Sequence, residues 1–210
     1  MPDDRALAVA RALLDAGTVT LRPHDPDTFK SGLRSPVYVD NRRLISNPGP
    51  WKVVIEAFAR RIPDRDDLVI SGVEAAGIPH SSALAYALGR PSVFVRKEAK
   101  GHGLGRRVEG GDVGGRTAVL VEDMVTTGGS SLSAVAALRE AGAIVDDCLA
   151  IITYGFAEAI DAFEAARCRL LTLTTFETVI EVALAQGTID ASDAALVRSW
   201  LADPHAWQPA

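Results

Sequence analysis

The chain has 210 residues, with 22 Lys and Arg against 27 Asp and Glu, a formal net charge of −5. Hydrophobic residues make up 48%, which suits a globular α/β chain with a sizeable core and excludes a disordered one. The acidic balance argues against a general binder of nucleic acid or anionic membrane, and no apolar run reaches the ~18 residues of a membrane span. The opening stretch, MPDDRALAVARALLDAG, carries acids early and has no long apolar segment, so no secretory signal is expected and a cytoplasmic protein is. Cys148 and Cys168 sit among apolar residues and read as small buried side chains in a reducing compartment. His24, His80, His102 and His205 are scattered, with no HExxH or CxxC spacing, so no protein-ligated metal is expected.

The first helix is expected near the N-terminus, where Leu7, Leu13 and Leu14 have amphipathic spacing. The rest of residues 1–50 is rich in Pro and turn residues and predicts a small lobe of short strands and loops. From residue 51 the rhythm changes, and 51–210 is assigned to a core domain. A helix is predicted over 51–61, with Val54, Phe58 and Ala59 on its apolar side. Next come an apolar strand over 67–72, a helix over 77–89 closed by Gly89, and a strand over 91–97. RTAVLVEDM (116–124) is the clearest buried strand. Residues 130–141 follow as a helix, with Ser130 as its cap and Gly142 just past its end. Strand-like 143–154, helical 156–166, strand-like 170–176 and helical 179–185 complete the pattern. Strands alternating with helices predict a mainly parallel sheet flanked by helices, whose ligands bind beyond the carboxyl ends of the strands.

The segment VLVEDMVTTGGSS (119–131) is the most informative. A hydrophobic strand delivers Glu122 and Asp123 to its carboxyl end. The loop Thr126-Thr127-Gly128-Gly129-Ser130 then leads at once into a helix. Glycines let backbone N–H groups turn toward an anion, and a helix N-terminus adds partial positive charge. The acids are poor phosphate ligands but suit sugar hydroxyls or a hydrated Mg²⁺. The loop therefore fits a phosphorylated sugar; the plainer alternative is an ordinary strand-to-helix turn with a Ser cap. No GxxxxGK[ST] or GxGxxG is present. A second segment, VRKEAKGHGLGRRVEGG (95–111), places Arg96, Lys97, Lys100, Arg106 and Arg107 within twelve residues. A cationic loop of this kind neutralises a polyanion and strengthens the electrostatics once water is expelled. Its alternative is a solvated charged hairpin with Glu98 and Glu109 as internal partners.

An apolar run, two acids, two variable residues and Thr-x-Gly-x-Ser together resemble the type I phosphoribosyltransferases, which use 5-phosphoribosyl-1-diphosphate (PRPP). That resemblance implies that Met124, Val125, Thr126, Thr127, Gly128, Gly129 and Ser130 form the PRPP loop around the 5-phosphate. It also implies that Glu122 and Asp123 hold the ribose hydroxyls, and that Mg²⁺ is carried mainly by PRPP rather than bound directly by the protein. The string RKEAKGHG is similar to the catalytic loop of the orotate-using branch. There Arg96, Lys97, Lys100 and His102 would contact pyrophosphate, and the 97–107 segment of a homodimer would reach the neighbouring subunit's site. By the same resemblance Lys100, Asp123, Glu122 and His102 are the catalytic candidates.

SGVEAAGIP (71–79) is similar to the family's pyrophosphate loop, giving Gly72, Val73, Glu74, Ala75, Ala76 and Gly77. FKSGLRSPVYVDNR (29–42) resembles its SG-x-x-SP-x-Y-x-D-x-R segment, which puts Lys30, Tyr38 and Thr126 at the orotate; lobe packing is the alternative for Tyr38, and a structural ion pair for Arg42. TYGFAEAIDAF and the closing W-x-x-DP-x-x-W match one branch of the family, so the resemblance spans the chain. Departures exist: Ala76 stands where some members have Lys, TYGF (153–156) lacks an Arg found in others, and Asp27 stands where many have Phe. The implied reaction joins orotate N1 to C1 of PRPP. A purine-using relative and a non-enzymatic PRPP-sensing regulator are the alternatives.

Overall fold

The computed structural model describes residues 3–28, 32–98 and 106–207. Lys30, Lys100 and His102 lie outside the described residues. In chain order the elements are α1 (Asp4–Asp15), β1 (Val19–Leu21), β2 (Asp27–Thr28), β3 (Arg34–Ser35), β4 (Val37–Val39), a 3₁₀ turn (Asn41–Ser46) and α2 (Pro48–Ala59). These are followed by β5 (Leu68–Val73), α3 (Gly77–Leu88), β6 (Ser92–Val95), β7 (Val108–Glu109), β8 (Thr117–Val125) and α4 (Gly129–Glu140). The chain ends with β9 (Ile144–Thr153), α5 (Ala157–Ala165), β10 (Arg169–Thr172), α6 (Phe176–Gln186) and α7 (Ala191–Ala202).

The chain groups into two compact units, 1–53 with 174–210, and 54–173. The sequence reading drew its boundary at residue 50 and gave everything after it to the core; by compactness the C-terminal helices group with the N-terminal segment instead. The reason lies in their packing. α1 buries Val9, Ala10, Ala12 and Leu13 and packs on α6. Thr174 Oγ1 donates to the Ala6 carbonyl at 2.9 Å. Trp200 on α7 is fully buried, and its Nε1 donates to the Arg34 carbonyl at 2.8 Å, satisfying an indole N–H that burial would otherwise strand. The expected short strands form two antiparallel pairs, β1 with β4 and β2 with β3.

The second unit is built on a six-stranded sheet in the order β10-β9-β8-β5-β6-β7. All pairings are parallel except that of the edge strand β7 with β6. Every residue of β5 is buried, as a strand covered on both faces requires. Val69, Leu120, Val135, Leu138, Cys148 and Phe163 belong to one continuous core with α3, α4 and α5 packed around the sheet. The strand order carries functional information. From β5 the chain steps outward to β6 and β7, then returns to the other side of β5 for β8, β9 and β10. The order therefore reverses between β5 and β8, and in an open parallel sheet the crevice beyond that point is where ligands bind.

Several predicted boundaries shift. α2 begins at Pro48, since Pro is well suited to the first helical turn. α4 is not capped by Ser130: Gly128, at φ +85°, precedes its first residue, and no side chain makes the cap. The expected strand over 170–176 stops at Thr172, because Thr175 caps α6 by accepting from the Thr178 N–H at 3.2 Å. α7 was not anticipated; it opens on a capping box between Asp190 and Asp193.

Candidate active site

The segments 71–79 and 119–131 fall on the loops that leave β5 and β8, the two strands flanking the reversal. β5 ends at Val73, and Glu74, Ala75 and Ala76 turn the chain into α3 at Gly77. β8 ends at Val125, and Thr126, Thr127 and Gly128 turn it into α4. The start of α3 comes against the backbone of β8. A Cβ on Gly77 would stand 2.5 Å from the Val121 carbonyl oxygen, and one on Gly72 would stand 2.2 Å from Ser81 Oγ. Only glycine admits such an approach. Gly72 is thus needed to seat α3 against β5, and Gly77 to seat its start against β8, whichever ligand the turns hold.

The loop after β8 has the shape of an anion cradle. Thr126, Thr127, Gly129 and Ser130 are exposed, Gly128 is buried in the left-handed region, and Met124 and Val125 lie on the strand below it. A Cβ on Gly128 would come within 2.9 Å of the Phe163 ring, so α5 supports the loop from beneath. Around Gly129 nothing stands within 4 Å of an added Cβ, which leaves the first turn of α4 open on that side. Free N–H groups at a helix start, three exposed hydroxyl residues and space suit an anion such as phosphate in chemical terms.

The two acids are not equivalent. Asp123 is half-buried, whereas Glu122 is only 5% exposed. Glu122 Oε1 accepts from the Asp123 N–H at 3.1 Å, and Ser131 Oγ donates to Glu122 Oε2 at 3.4 Å. Burial, and then the neighbouring Asp123, push the Glu122 carboxyl well above the ordinary carboxylate range. The fold therefore favours the protonated form of Glu122, and Asp123 is the more exposed acid of the pair. Ser131 is a contributor that the sequence reading missed; the only trace of it is the second Ser of the Ser-Ser pair.

The cationic segment leaves from the neighbouring strand. Lys97 N–H donates to Glu74 Oε2 at 2.9 Å, and Glu74, Ala75, Arg96, Lys97 and Glu98 line a cleft of about 390 Å³. The expected pyrophosphate turn and the start of the cationic segment thus share one cleft. Arg96 and Glu109 stand 3.8 Å apart across the β6–β7 hairpin, so the charged-hairpin alternative describes the stem of this segment correctly. Arg42 pairs with Asp40 at 2.6 Å, the structural role considered for it. Tyr38 lies on β4 of the first unit and is 38% exposed. At TYGF the rings of Tyr154 and Phe156 stack with centroids 5.3 Å apart. Among the described residues no three His, Cys, Asp or Glu side chains gather as a metal site.

Residues 43–163 match the phosphoribosyl transferase domain. The chain is 40% identical over 209 residues to the orotate phosphoribosyltransferase of Coxiella burnetii, covering 98% of this chain and 100% of that one. Among solved structures, the orotate phosphoribosyltransferase of Aeropyrum pernix superposes with a TM-score of 0.71 at 29% identity, over 86% of this chain and 99% of that one. The Mycobacterium tuberculosis orotate phosphoribosyltransferase in complex with PRPP superposes with a TM-score of 0.66 at 27% identity, over 84% and 99% of the two chains. With the sheet reversal, the acid pair and the glycine loop in place, these matches mean that the chain belongs to the orotate phosphoribosyltransferase family of type I phosphoribosyltransferases.

Proposed function

We propose that the chain transfers the 5-phosphoribosyl group from PRPP to N1 of orotate, forming orotidine 5-monophosphate and releasing pyrophosphate. The observation that carries this reading is the end of β8: an acid pair, an open glycine turn and a helix start, set beside the β5 turn at the reversal of strand order. The helix start and the hydroxyls of Thr126, Thr127 and Ser130 suit the 5-phosphate. Asp123 and Glu122 hold the ribose hydroxyls, with the more exposed Asp123 as an acceptor. Family relatives named for orotate support a pyrimidine over a purine base.

The chemistry is positioning and electrostatics. As the bond from C1 to the diphosphate oxygen breaks, positive charge grows on C1 and the ring oxygen, and negative charge grows on the leaving group. Asp123 stands on the side of the sugar. Arg96 and Lys97, with Lys100 and His102, meet the departing anion, and orotate N1 forms the new bond at C1. Lys30, Tyr38 and Thr126 are assigned to orotate. Mg²⁺ would be carried by PRPP and would supply charge neutralisation on the diphosphate, with carboxylate and hydroxyl oxygens as the donors such a hard cation takes. The active assembly in this reading is a homodimer whose 97–107 segments reach across to the neighbouring site. A cytoplasmic location accords with the two free, buried cysteines, and no helix among the described residues is long and apolar enough to cross a membrane.

The test is a continuous ultraviolet assay of orotate loss with PRPP and Mg²⁺, run in parallel with adenine, guanine and hypoxanthine. Orotate alone should be consumed, and Mg²⁺ should be needed together with PRPP. Consumption of a purine, or PRPP binding with no base consumed, overturns the assignment. Tight Mg²⁺ binding by the protein without PRPP overturns the substrate-carried role of the metal.

A further inference from the structure

The sequence places Arg107 among the cations of the charged segment, but its side chain does not stand free in solvent. Its Nε donates to the Arg96 carbonyl at 2.9 Å, and its Nη1 donates to Ser133 Oγ at 3.0 Å and to the Ser133 carbonyl at 3.2 Å. The backbone answers in the other direction, with Arg96 N–H donating to the Arg107 carbonyl at 2.9 Å. Arg96 and Arg107 thus extend the β6–β7 pairing by one rung beyond Val95 and Val108. Ser133 lies just over one turn into α4, the helix that opens on the phosphate loop.

We propose that Arg107 is a positioning residue, whose guanidinium locks the stem carrying Arg96 and Lys97 to the helix that begins at the phosphate loop. This rests on the function proposed above. It adds a residue that sets the spacing between the cations for the leaving group and the cradle for the 5-phosphate. A planar fork suits the task, because one rigid group reaches a strand carbonyl and a helix hydroxyl at once, and a lysine ammonium does not hold that geometry. Packing alone leaves room here: a cavity of about 540 Å³ opens beside the bridge, lined by Arg107, Val108, Ala137 and Glu140 among others. All three side-chain bonds go to neutral groups.

The test compares Arg107→Ala, Arg107→Lys and Ser133→Ala, alone and combined, by steady-state kinetics and by amide hydrogen exchange. Arg107→Ala should raise KM for PRPP about tenfold, the scale of a lost charged hydrogen-bond bridge, and leave KM for orotate within about twofold. Arg107→Lys should recover little, and Ser133→Ala should add little to Arg107→Ala, since the Ser133 hydroxyl bonds the same guanidinium. Exchange at the Arg96 amide should quicken in Arg107→Ala. Full rescue by Lys would mean that only the charge matters, and additive Ser133 and Arg107 effects would mean that no shared bridge exists; either overturns the proposal. So does an equal rise in both KM values together with a lowered melting temperature, which marks general destabilisation. If the wild-type protein consumes no orotate, the functional reading fails, while unchanged Arg96 exchange would still overturn the bridge on its own. Should Arg107→Ala not fold, the Lys and Ser133 variants carry the same comparison.

Discussion

The backbone N–H of Lys97 and the carboxylate of Glu74 are joined at 2.9 Å, so an acid within the turn after β5 holds the first residues of the cationic segment. An acid beside a diphosphate site is repulsive unless its charge is used. Here it accepts from the chain that brings the cations. Glu74→Ala should lower kcat/KM for PRPP about five- to tenfold, as expected for a lost hydrogen bond to a charged acceptor. Glu74→Gln keeps an acceptor oxygen and should recover most of that. Steady-state kinetics over a PRPP series checks this, and a gain in PRPP affinity in Glu74→Ala would mean that repulsion outweighs the contact.

Gly77→Ala should be strongly disruptive. The added methyl meets the Val121 carbonyl oxygen at 2.5 Å, and a backbone atom in a central strand has no room to retreat. Overpacking of this kind costs about 1–3 kcal/mol, and the α3 start would be pushed off β8. Gly49→Ala has nothing within 4 Å of its Cβ and serves as the tolerated control. Thermal melts of the two variants decide the matter: equal melting temperatures would refute the close approach.

Glu122 couples stability to pH. Its folded pKa is raised, with burial the largest cause and Asp123 the next, from an ordinary value of 4.5. The fold therefore favours the protonated acid. The stabilisation is complete below the unfolded pKa and is lost progressively as pH rises toward the folded one. Glu122→Gln cannot ionise but keeps an oxygen for the Asp123 N–H. The melting temperature of Glu122→Gln minus that of the wild type should grow between about pH 5 and pH 8. A difference that stays flat over that range would mean that Glu122 is ionised in the fold.

If the 97–107 segment serves the neighbouring subunit, Lys100→Ala and Asp123→Ala chains should complement one another. Each variant alone should lose on the order of a hundredfold in turnover, the scale of removing one electrostatic contact in the transition state. Mixed dimers would contain one site with both residues intact and should recover part of the activity. Verified heterodimers without recovery would place the segment over its own subunit's site.

Much of this site can be read from the sequence because its carriers are local. A buried strand must be apolar along its whole length, so Thr117–Val125 announces itself, and the acids and glycines that follow are adjacent in the chain. Gly89 closing α3 at φ +61° is legible for the same reason. What escapes is set by contacts distant in sequence. Ser131 meets Glu122 nine residues away only because the chain doubles back at Gly128. Gly128 displaces Ser130 as the helix start because its conformation and the Phe163 ring beneath it fix the turn, and Phe163 is 35 residues on. The two-residue β7 has no apolar alternation to reveal it; it forms because β6 offers an edge. The C-terminal helices group with the N-terminal lobe through Trp200 and Thr174, whose partners lie more than 160 residues away.

The cationic segment leaves and re-enters the fold through two paired strands, so its ends stay together whatever lies between Glu98 and Arg106. Lengthening a closed loop costs little, about 0.6 kcal/mol per doubling. The strand pair thus fixes where the segment begins and ends, so a change in its length leaves the register of the sheet beneath unchanged.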